Sequence, residues 1–404
     1  MRRVGQGSHR LRPHGARRII VSSALALLAA TRVDATPRMI SYGYPSCVSC
    51  HVSVQGRGLR NSYGRGIDIA QSYSKKDFTA LLLGRAGTEG EGDNWDGRFG
   101  NVLLDFLVAL RYNERLDRDK SDPAIAALYR QVIFIGQQDA VRINTEVGLL
   151  DGGLHDARLG PDLTATGGEN IFLKKLVLEW RIPGSESTSG QEISIGRDYL
   201  PVGLQIDDYA SYILHLNRAG VYDFPLQAKY FVWTKKSLAS AYVFAPSFQE
   251  DADRREYGAG FLYERYPTNK LALGFQGLVG FSEQTDRWRI GPYFRWGISE
   301  KWALLAEADY GGFWNAQSAG DGGSQVTTYL QLFYHHTEWL VSNVTVNYAY
   351  SDFLSTKDNL ASFRWTTAAR LNRNFTLGIT YLVGDARRNL SYSQEIGAFV
   401  TIKF

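Results

Sequence analysis

Beyond Asn94 apolar and polar residues alternate, and that alternation limits what the chain can fold into. The run Asn101–Tyr112 sets one aliphatic series against a more mixed one. Arg142–Leu149 and Asn343–Tyr350 alternate more cleanly. Period two built from Tyr, Trp, Phe, Val and Leu specifies strands. No stretch past the N-terminal leader has the roughly 18 uninterrupted apolar residues of a membrane helix. Segments of about ten alternating residues broken by turns are instead the pattern of a membrane-spanning β-barrel. An aromatic share of 13% suits girdles at both interfaces, and 41 glycines suit crowded strands and turns. The competing fold, a water-soluble sandwich, would hardly run for about 300 residues without a second core signal.

Turn positions give a strand count. Short connections fall at Gln138-Asp139, Lys235-Lys236, Thr268-Asn269, Ser299-Glu300, Thr337-Glu338 and Asn372-Arg373, with a somewhat longer one from Pro183 to Gly190. Longer polar connections lie between them: Asn113–Ala126, Asp151–Glu169, Tyr199–Pro225, Pro246–Arg255, Phe313–Ser324, Ser351–Asn359 and Asp385–Tyr392, with a briefer one at Glu283–Asp286. Short and long alternate, as periplasmic turns and external loops do in outer-membrane barrels. The count is about 16 strands, provided Tyr209–Leu216 belongs to a long third loop that folds inwards. Such a barrel leaves room for a plug or a channel. The last residues, Glu395–Phe404, alternate and end on Phe404, which resembles the signal read by the outer-membrane barrel-assembly machinery.

The chain opens with Arg2, Arg3, Arg10, Arg12, Arg17 and Arg18, then an apolar run from Ile19 to Ala30 and small residues around Ala35. This is the pattern of a secretory signal peptide over residues 1–35, with cleavage expected after Ala35 or, alternatively, after Ala30. Arg17-Arg18 lacks the rest of a twin-arginine context, so general export is expected. Removing the six leader arginines, with Arg32 and Asp34 cancelling, takes the formal charge from +4 to about −2. The basic balance is therefore a property of the leader and argues for no nucleic-acid partner.

Between leader and barrel, over residues 36–90, stands the chemistry-bearing motif. Cys47-Val48-Ser49-Cys50-His51 holds the only two cysteines, three apart, followed at once by a histidine. C-x-x-C-H is the attachment signature of a c-type haem, with two thioethers and the imidazole as proximal iron ligand. A thioredoxin-like pair would need a surrounding βαβ pattern. A disulfide across two residues would be strained, and zinc would need two further ligands. Export agrees with haem c, which is attached outside the cytoplasm. The segment is Gly-, Ser- and Tyr-rich and too poor in apolar residues to bury a haem alone. The barrel is therefore expected to cover it, with the segment plugging the lumen. Arg57, Arg60 and Arg65 are candidates for haem propionates, against the reading of solvated charge. The state of Gln71–Arg85 is open, with a helix as one option.

A second iron ligand could come from Met39, close in sequence, or from His335, which alternation in β-register points into the lumen. His215, in the inward-folding loop, is the third candidate; His155 and His336 lie in an external loop and beside a short turn. Histidine ligation would favour a lower potential and methionine a higher one.

A single C-x-x-C-H just after a leader, followed by a barrel of about 16 strands, resembles the outer-membrane monohaem cytochrome–porin fusions of iron-oxidising bacteria. In that family the haem segment begins Ala-x-Pro-x-Phe. Here Ala35-Thr36-Pro37-Arg38-Met39 stands at a similar distance from Cys47, with Met39 in the aromatic place, while Ile40–Ser46 departs from the pattern. The resemblance implies Fe(II) oxidation at the cell surface, with electrons passed to a periplasmic carrier such as a c-type cytochrome or cupredoxin. Only Cys47, Cys50 and His51 carry over from it.

The expectation is thus an all-β, about 16-stranded barrel over residues 95–404 in the outer membrane, bearing one haem c. Electron transfer inwards from Fe(II), outwards to minerals or partner cytochromes, and a solute porin with a haem-bearing gate are the functions it allows. No carboxylate pair or nucleophile–base set points to a conventional enzyme, and the acidic runs Glu89–Asp93 and Asp207-Asp208 read as solvated loops.

Overall fold

In the computed structural model the described residues are 38–55, 59–74, 98–99, 101–115, 120–136, 140–152, 171–204, 211–217, 224–247, 255–283, 285–315, 322–352, 358–385 and 392–403. The leader and its cleavage site, Arg57, His155 and residues 75–90 lie outside them.

Sixteen antiparallel strands close on themselves. They are β1 (Val102–Arg115), β2 (Lys120–Ile135), β3 (Val141–Gly152), β4 (Ile171–Arg181), β5 (Gly190–Arg197), β6 (Leu226–Thr234), β7 (Ser237–Ala245) and β8 (Glu256–Thr268). The second half comprises β9 (Leu271–Ser282), β10 (Thr285–Gly297), β11 (Trp302–Asn315), β12 (Gly322–His335), β13 (Leu340–Ser351), β14 (Asp358–Arg370), β15 (Phe375–Asp385) and β16 (Tyr392–Lys403). Each pairs with its sequence neighbour. β16 pairs with β1 from Lys403↔Leu107 to Glu395↔Arg115, which closes the ring. A two-residue strand, Arg98–Phe99, folds back on the start of β1.

Alternation decides which side each residue faces. Along β12, Gln325, Thr327, Tyr329, Gln331, Phe333 and His335 are buried, while Leu330 between them is 44% exposed. Apolar exposure continues around the barrel at Phe106, Leu178, Ile195, Val243, Phe275, Val346 and Phe363. That band is what lipid contact requires of a spanning barrel. Aromatic rings mark both margins. Trp302 and Tyr334 lie 4.6 Å apart near the short turns, and Trp288 and Tyr310 lie 5.3 Å apart towards the long loops. No helix among the described residues is long and apolar enough to cross a membrane.

The strand count and the alternation of short and long connections match the sequence reading, with one correction. The connection expected over Asn113–Ala126 is mostly strand, since β1 and β2 stay paired out to Arg115↔Lys120. Asn113, Glu114, Ser121 and Asp122 extend the hairpin with polar residues, which read as loop. Pro123 pairs with Tyr112 on one side only, because the pairing of β2 with β3 begins at Ala124. A proline without an N–H is tolerated at such a one-sided position.

The third long connection turns into the lumen, as expected. Of the stretch Tyr209–Leu216, the described residues 211–216 form no strand; a single turn, Tyr212–His215, lies there instead. Leu204 and Ile213 are buried in a cluster with Tyr293, Leu305 and Tyr329 of the wall. The Leu204 N–H donates to Glu307 Oε2 at 2.6 Å. Gly203 has φ +47°, and a Cβ there would collide with the Glu307 carboxylate, so the loop needs glycine at its closest approach.

Residues 38–55 and 59–74 fill the short-turn end of the barrel. Helix α1 (Arg38–Ser41) lies against β10 and β11, with Ser41 Oγ donating to the Trp302 carbonyl at 3.2 Å. Val48 and Val54 pack on Phe231 and Trp233, while Val52 and Leu59 pack on Leu103 and Val132. Helix α2 (Ser62–Ala70) was not legible in the sequence, where Gly64 and Gly66 argue against a helix. Tertiary contacts hold it: a Cβ at Gly64 would strike the Cys50 carbonyl, so the helix lies directly on the cysteine turn.

Charge ties this segment to the wall. Asp68 of α2 pairs with Arg60 in the segment, with Arg370 at 3.2 Å and with Lys403 at 3.7 Å; Lys403 also reaches Asp105. These groups are largely withdrawn from water, where an unpaired charge is costly. Replacing Asp68 by Ala removes the carboxylate shared by Arg60, Arg370 and Lys403, at an expected cost of about 3–5 kcal/mol. The expected result is faster proteolysis of the segment containing residues 38–74 with unchanged gel mobility of the folded barrel. Equal protease resistance of variant and parent would contradict this account of the tie.

Candidate functional site

The cysteine motif forms one tight turn. Cys47–Ser49 is a single 3-10 turn, and the N–H groups of Cys50 and His51 both donate to the Cys47 carbonyl, at 3.2 and 3.1 Å. Both sulfurs and the imidazole therefore issue from consecutive residues of one fold-back. The cysteines are free thiols, not a disulfide. Cys47 is partly exposed, whereas Cys50 and His51 are each 8% exposed. Burial pushes the Cys50 thiol up to about 11, with the neighbouring Cys47 adding to the shift and Arg60 opposing it.

The rest of the segment braces this turn. Asn61 donates its backbone N–H to the Cys50 carbonyl at 3.0 Å and its side-chain Nδ2 to the Ser49 carbonyl at 3.1 Å. Its Oδ1 accepts the Gly64 N–H at 2.9 Å, so Asn61 caps α2 and holds the cysteine turn at once. His51 forms an isolated antiparallel bridge with Arg60, and the Val52 N–H donates to the Leu59 carbonyl at 3.0 Å.

The wall completes the surroundings. Arg295 of β10 donates through Nη1 to Cys47 Sγ at 3.1 Å and through Nη2 to the Pro45 carbonyl at 3.0 Å, and it pairs with Glu264. Arg142 and Arg181 both donate to the Val52 carbonyl, at 3.0 and 3.4 Å, and both pair with Glu192. Lys229 Nζ donates to Gln55 Oε1 at 2.7 Å and pairs with Asp198, and Gln55 Nε2 donates to the Tyr199 carbonyl at 3.3 Å. The segment thus touches the root of the inward loop through Gln55.

The donor set fits covalent haem on its proximal side. Two free thiols at i and i+3 and an adjacent imidazole are what two thioethers and one iron ligand require. Among the described residues no three or more His, Cys, Asp and Glu side chains gather to hold a metal ion, so the zinc reading finds no further ligands there. Arg60 and Arg65 are not solvated charges. Arg60 is paired with Asp68 within the segment, and Arg65 donates to the Arg60 carbonyl at 3.3 Å and to the Leu104 carbonyl of β1 at 3.1 Å, so Arg60 ties the segment together and Arg65 ties it to β1.

The candidates for the second ligand are spread out. Met39 sits in α1 against β10 and β11. His335 is 2% exposed and inward-facing as expected, stacked on Phe333 at 6.4 Å, on β12. The carbonyl next to His51 is held instead by β3 and β4, nearly across the barrel from β12. His336 is exposed, with Nε2 and Ser342 Oγ 2.8 Å apart. His215 ends the single turn of the inward loop. Sequence reasoning missed Arg295, Asn61 and Gln55, whose importance comes from long-range approach; only the inward register of Arg295 was available beforehand.

Inside the barrel the wall has two characters. β2 to β11 carry interlocked charges, among them Arg130–Glu146, Lys175–Asp198, Arg287–Glu256 and Arg289–Asp309. From β12 to β15 the buried inward positions include uncharged Thr327, Gln331, Thr345, Asn347, Thr366 and Thr380, with charge at Arg370 of β14 and Glu395 of β16.

No protein-family model and no curated protein matches the sequence. Solved structures match the fold. OmpT, an outer membrane protein of Vibrio cholerae, superposes with a TM-score of 0.55 at 9% identity, over 76% of this chain and 99% of that one. Salmonella typhi OmpF in complex with daunomycin gives 0.54 at 9%, over 75% and 97%. Pseudomonas putida OprB gives 0.53 at 7%, over 74% and 93%. The fold is that of outer-membrane β-barrel porins.

In haem-free folded protein, Cys47 is expected to react with a maleimide while the buried Cys50 stays protected. Gly64→Val should push α2 off the Cys50 carbonyl and expose the second thiol, so mass spectrometry would count two adducts instead of one. Two adducts already in the parent protein would refute the packing described.

Proposed function

We propose that the chain is an outer-membrane barrel that carries electrons across that membrane on one covalent c-type haem, with the short turns facing the periplasm. The observation that carries the reading is the seat of the C-x-x-C-H turn. It is no loose tail: it lies within the barrel mouth, clasped by Arg295, with Val48 and Val54 buried on Phe231 and Trp233. The resemblance to the cytochrome–porin fusions of iron oxidisers supports the same reading and suggests extracellular Fe(II) as donor and a periplasmic cytochrome or cupredoxin as acceptor.

Haem, when bound, supplies a one-electron iron couple. The chain's own residues do the remaining work. Cys47 and Cys50 would hold the group covalently and His51 would ligate iron. Asn61 fixes the turn that aims all three. Arg295 sets a guanidinium beside Cys47, on the side that faces β10. The plug and the inward loop narrow the lumen from the two ends. A bilayer core of about 30 Å is too thick for one haem to bridge, so a donor or acceptor must come partway into the barrel.

The same wiring run outwards would serve minerals or partner cytochromes. A solute porin with the haem segment as gate is favoured by a different observation, the hydroxyl and amide side chains Thr327, Gln331, Thr345, Asn347, Thr366 and Thr380 on the inner side of β12–β15, which suit passage of neutral polar solutes.

Purified protein should show c-type absorbance, and Cys50→Ala should lose one thioether and most of its pigment. In proteoliposomes, Fe(II) outside should reduce an enclosed acceptor dye. Absence of haem absorbance in protein expressed with haem-attachment machinery would sink the conduit. A potential well below that of the Fe(III)/Fe(II) couple would turn its direction outwards. Steady planar-bilayer conductance with the segment in place would favour the gated porin.

A further inference from the structure

The short-turn end carries features that neither holding the segment nor closing the barrel uses. Tyr42, Tyr44 and Tyr63 of the plug are 41%, 37% and 45% exposed, while the more exposed Tyr73 stands apart from them against Trp339. Tyr44 and Tyr63 lie side by side, with ring centroids 5.8 Å apart and their hydroxyls hydrogen-bonded. Gly43, between the first two, approaches the β8–β9 turn, where a Cβ would sit 3.5 Å from Asn269 Cβ. Cys47 follows three residues after Tyr44 and is partly exposed.

Beside this aromatic group runs an arc of charge. Lys235 and Lys236 occupy the β6–β7 turn and Lys270 the β8–β9 turn, all exposed, while Arg265 of β8 follows the outward series of Phe261 and Tyr263. Among the described residues, the exposed acids at this end, Glu186, Glu300 and Glu338, stand on other turns. Glu264, the acid nearest in sequence to the arc, is buried and paired with Arg295.

An aromatic centre beside an unbalanced basic rim is the composition of a protein docking surface. We propose that this face, Tyr42, Tyr44 and Tyr63 with Lys235, Lys236 and Lys270, docks a soluble redox protein with an acidic surface around its cofactor edge. The proposal rests on the electron-conduit reading and names its periplasmic partner by charge. A partner seated there lies next to Cys47, the more exposed of the two attachment thiols. The tyrosines decide against lipid as the occupant. They project from the plug, inside the ring of turns, whereas headgroups meet only the ring's outer side.

The test uses the haem-loaded protein in a neutral detergent with two redox probes of opposite charge, an acidic plastocyanin and a basic mitochondrial cytochrome c. Binding and electron exchange are measured from low salt to about 0.15 M, where charges are screened beyond roughly 8 Å. Exchange with plastocyanin should fall by about tenfold or more with added salt, and exchange with cytochrome c should not fall. Lys235→Glu, Lys236→Glu and Lys270→Glu together should abolish the plastocyanin preference without changing the haem spectrum. Tyr44→Ser should weaken plastocyanin binding at every salt concentration.

Equal salt dependence for both probes, or an unaltered preference in the triple variant, would overturn the proposal. So would a triple variant that loses only co-purifying phosphatidylglycerol, because the arc would then serve lipid. Binding is also read in a Cys47→Ala, Cys50→Ala protein lacking haem. Plastocyanin binding that persists there supports the docking face even if electron transfer fails. A haem-loaded protein that takes electrons from Fe(II) but exchanges with plastocyanin independently of salt keeps the conduit and loses the docking face.

Discussion

A sheet immersed in lipid can leave no edge unpaired, because no water is present to satisfy its free N–H and C=O groups. The pairing of β16 with β1 is therefore the contact on which everything else depends. Closure at sixteen strands sets a width that side chains alone do not fill. The interior must be water, ligand or more protein. Here a large part of it is protein, from both ends.

That filling explains the interior charge. Arg142, Glu179, Glu192 and Lys229 would be ordinary channel residues in a wet lumen, but plug and inward loop take them out of water. Their charges are then supportable only in pairs, and Arg142 shows the pattern: it meets Glu179 and Glu192 and still has a hydrogen bond for the Val52 carbonyl. Asp68 plays the reciprocal part from the plug, facing Arg370 and Lys403. The segment is held by matched polar groups as much as by its few apolar side chains, which is how so apolar-poor a stretch can be ordered at all.

The cysteine turn inherits its order from that arrangement. Asn61 links it to α2, Gly64 lets α2 lie against it, and Arg295 pins it from the wall. Cys50 is covered by its own segment, so in the proposed haem protein the thioethers form before the plug closes over them. Cys47, in contrast, stays near the mouth and the exposed tyrosines, where a partner can approach.

The sequence by itself determined the barrel architecture and set out the C-x-x-C-H motif. Period-two alternation is a local signal that survives whatever the strands pack against, and closure then follows from lipid. C-x-x-C-H is equally local, because three donors on one turn need no distant help. It also placed His335 inwards and kept Tyr209–Leu216 out of the strand count. It failed where local polarity and tertiary role diverge. Asn113–Asp122 looked like loop because strand ends outside the membrane carry no apolar requirement. Residues 62–70 give no helix signal in the sequence because two glycines lower helix propensity, and only the close approach to Cys50 explains Gly64. Arg60 and Arg65 could be read only as propionate candidates or solvated charge, because nothing near them in sequence announces the Leu104 carbonyl, 39 residues from Arg65. Which wall receives the motif, and that Arg295 meets Cys47 from 248 residues away, is a matter of barrel register and plug seating. Such approaches across the lumen leave no periodic trace in the chain, so only the tertiary structure could decide them.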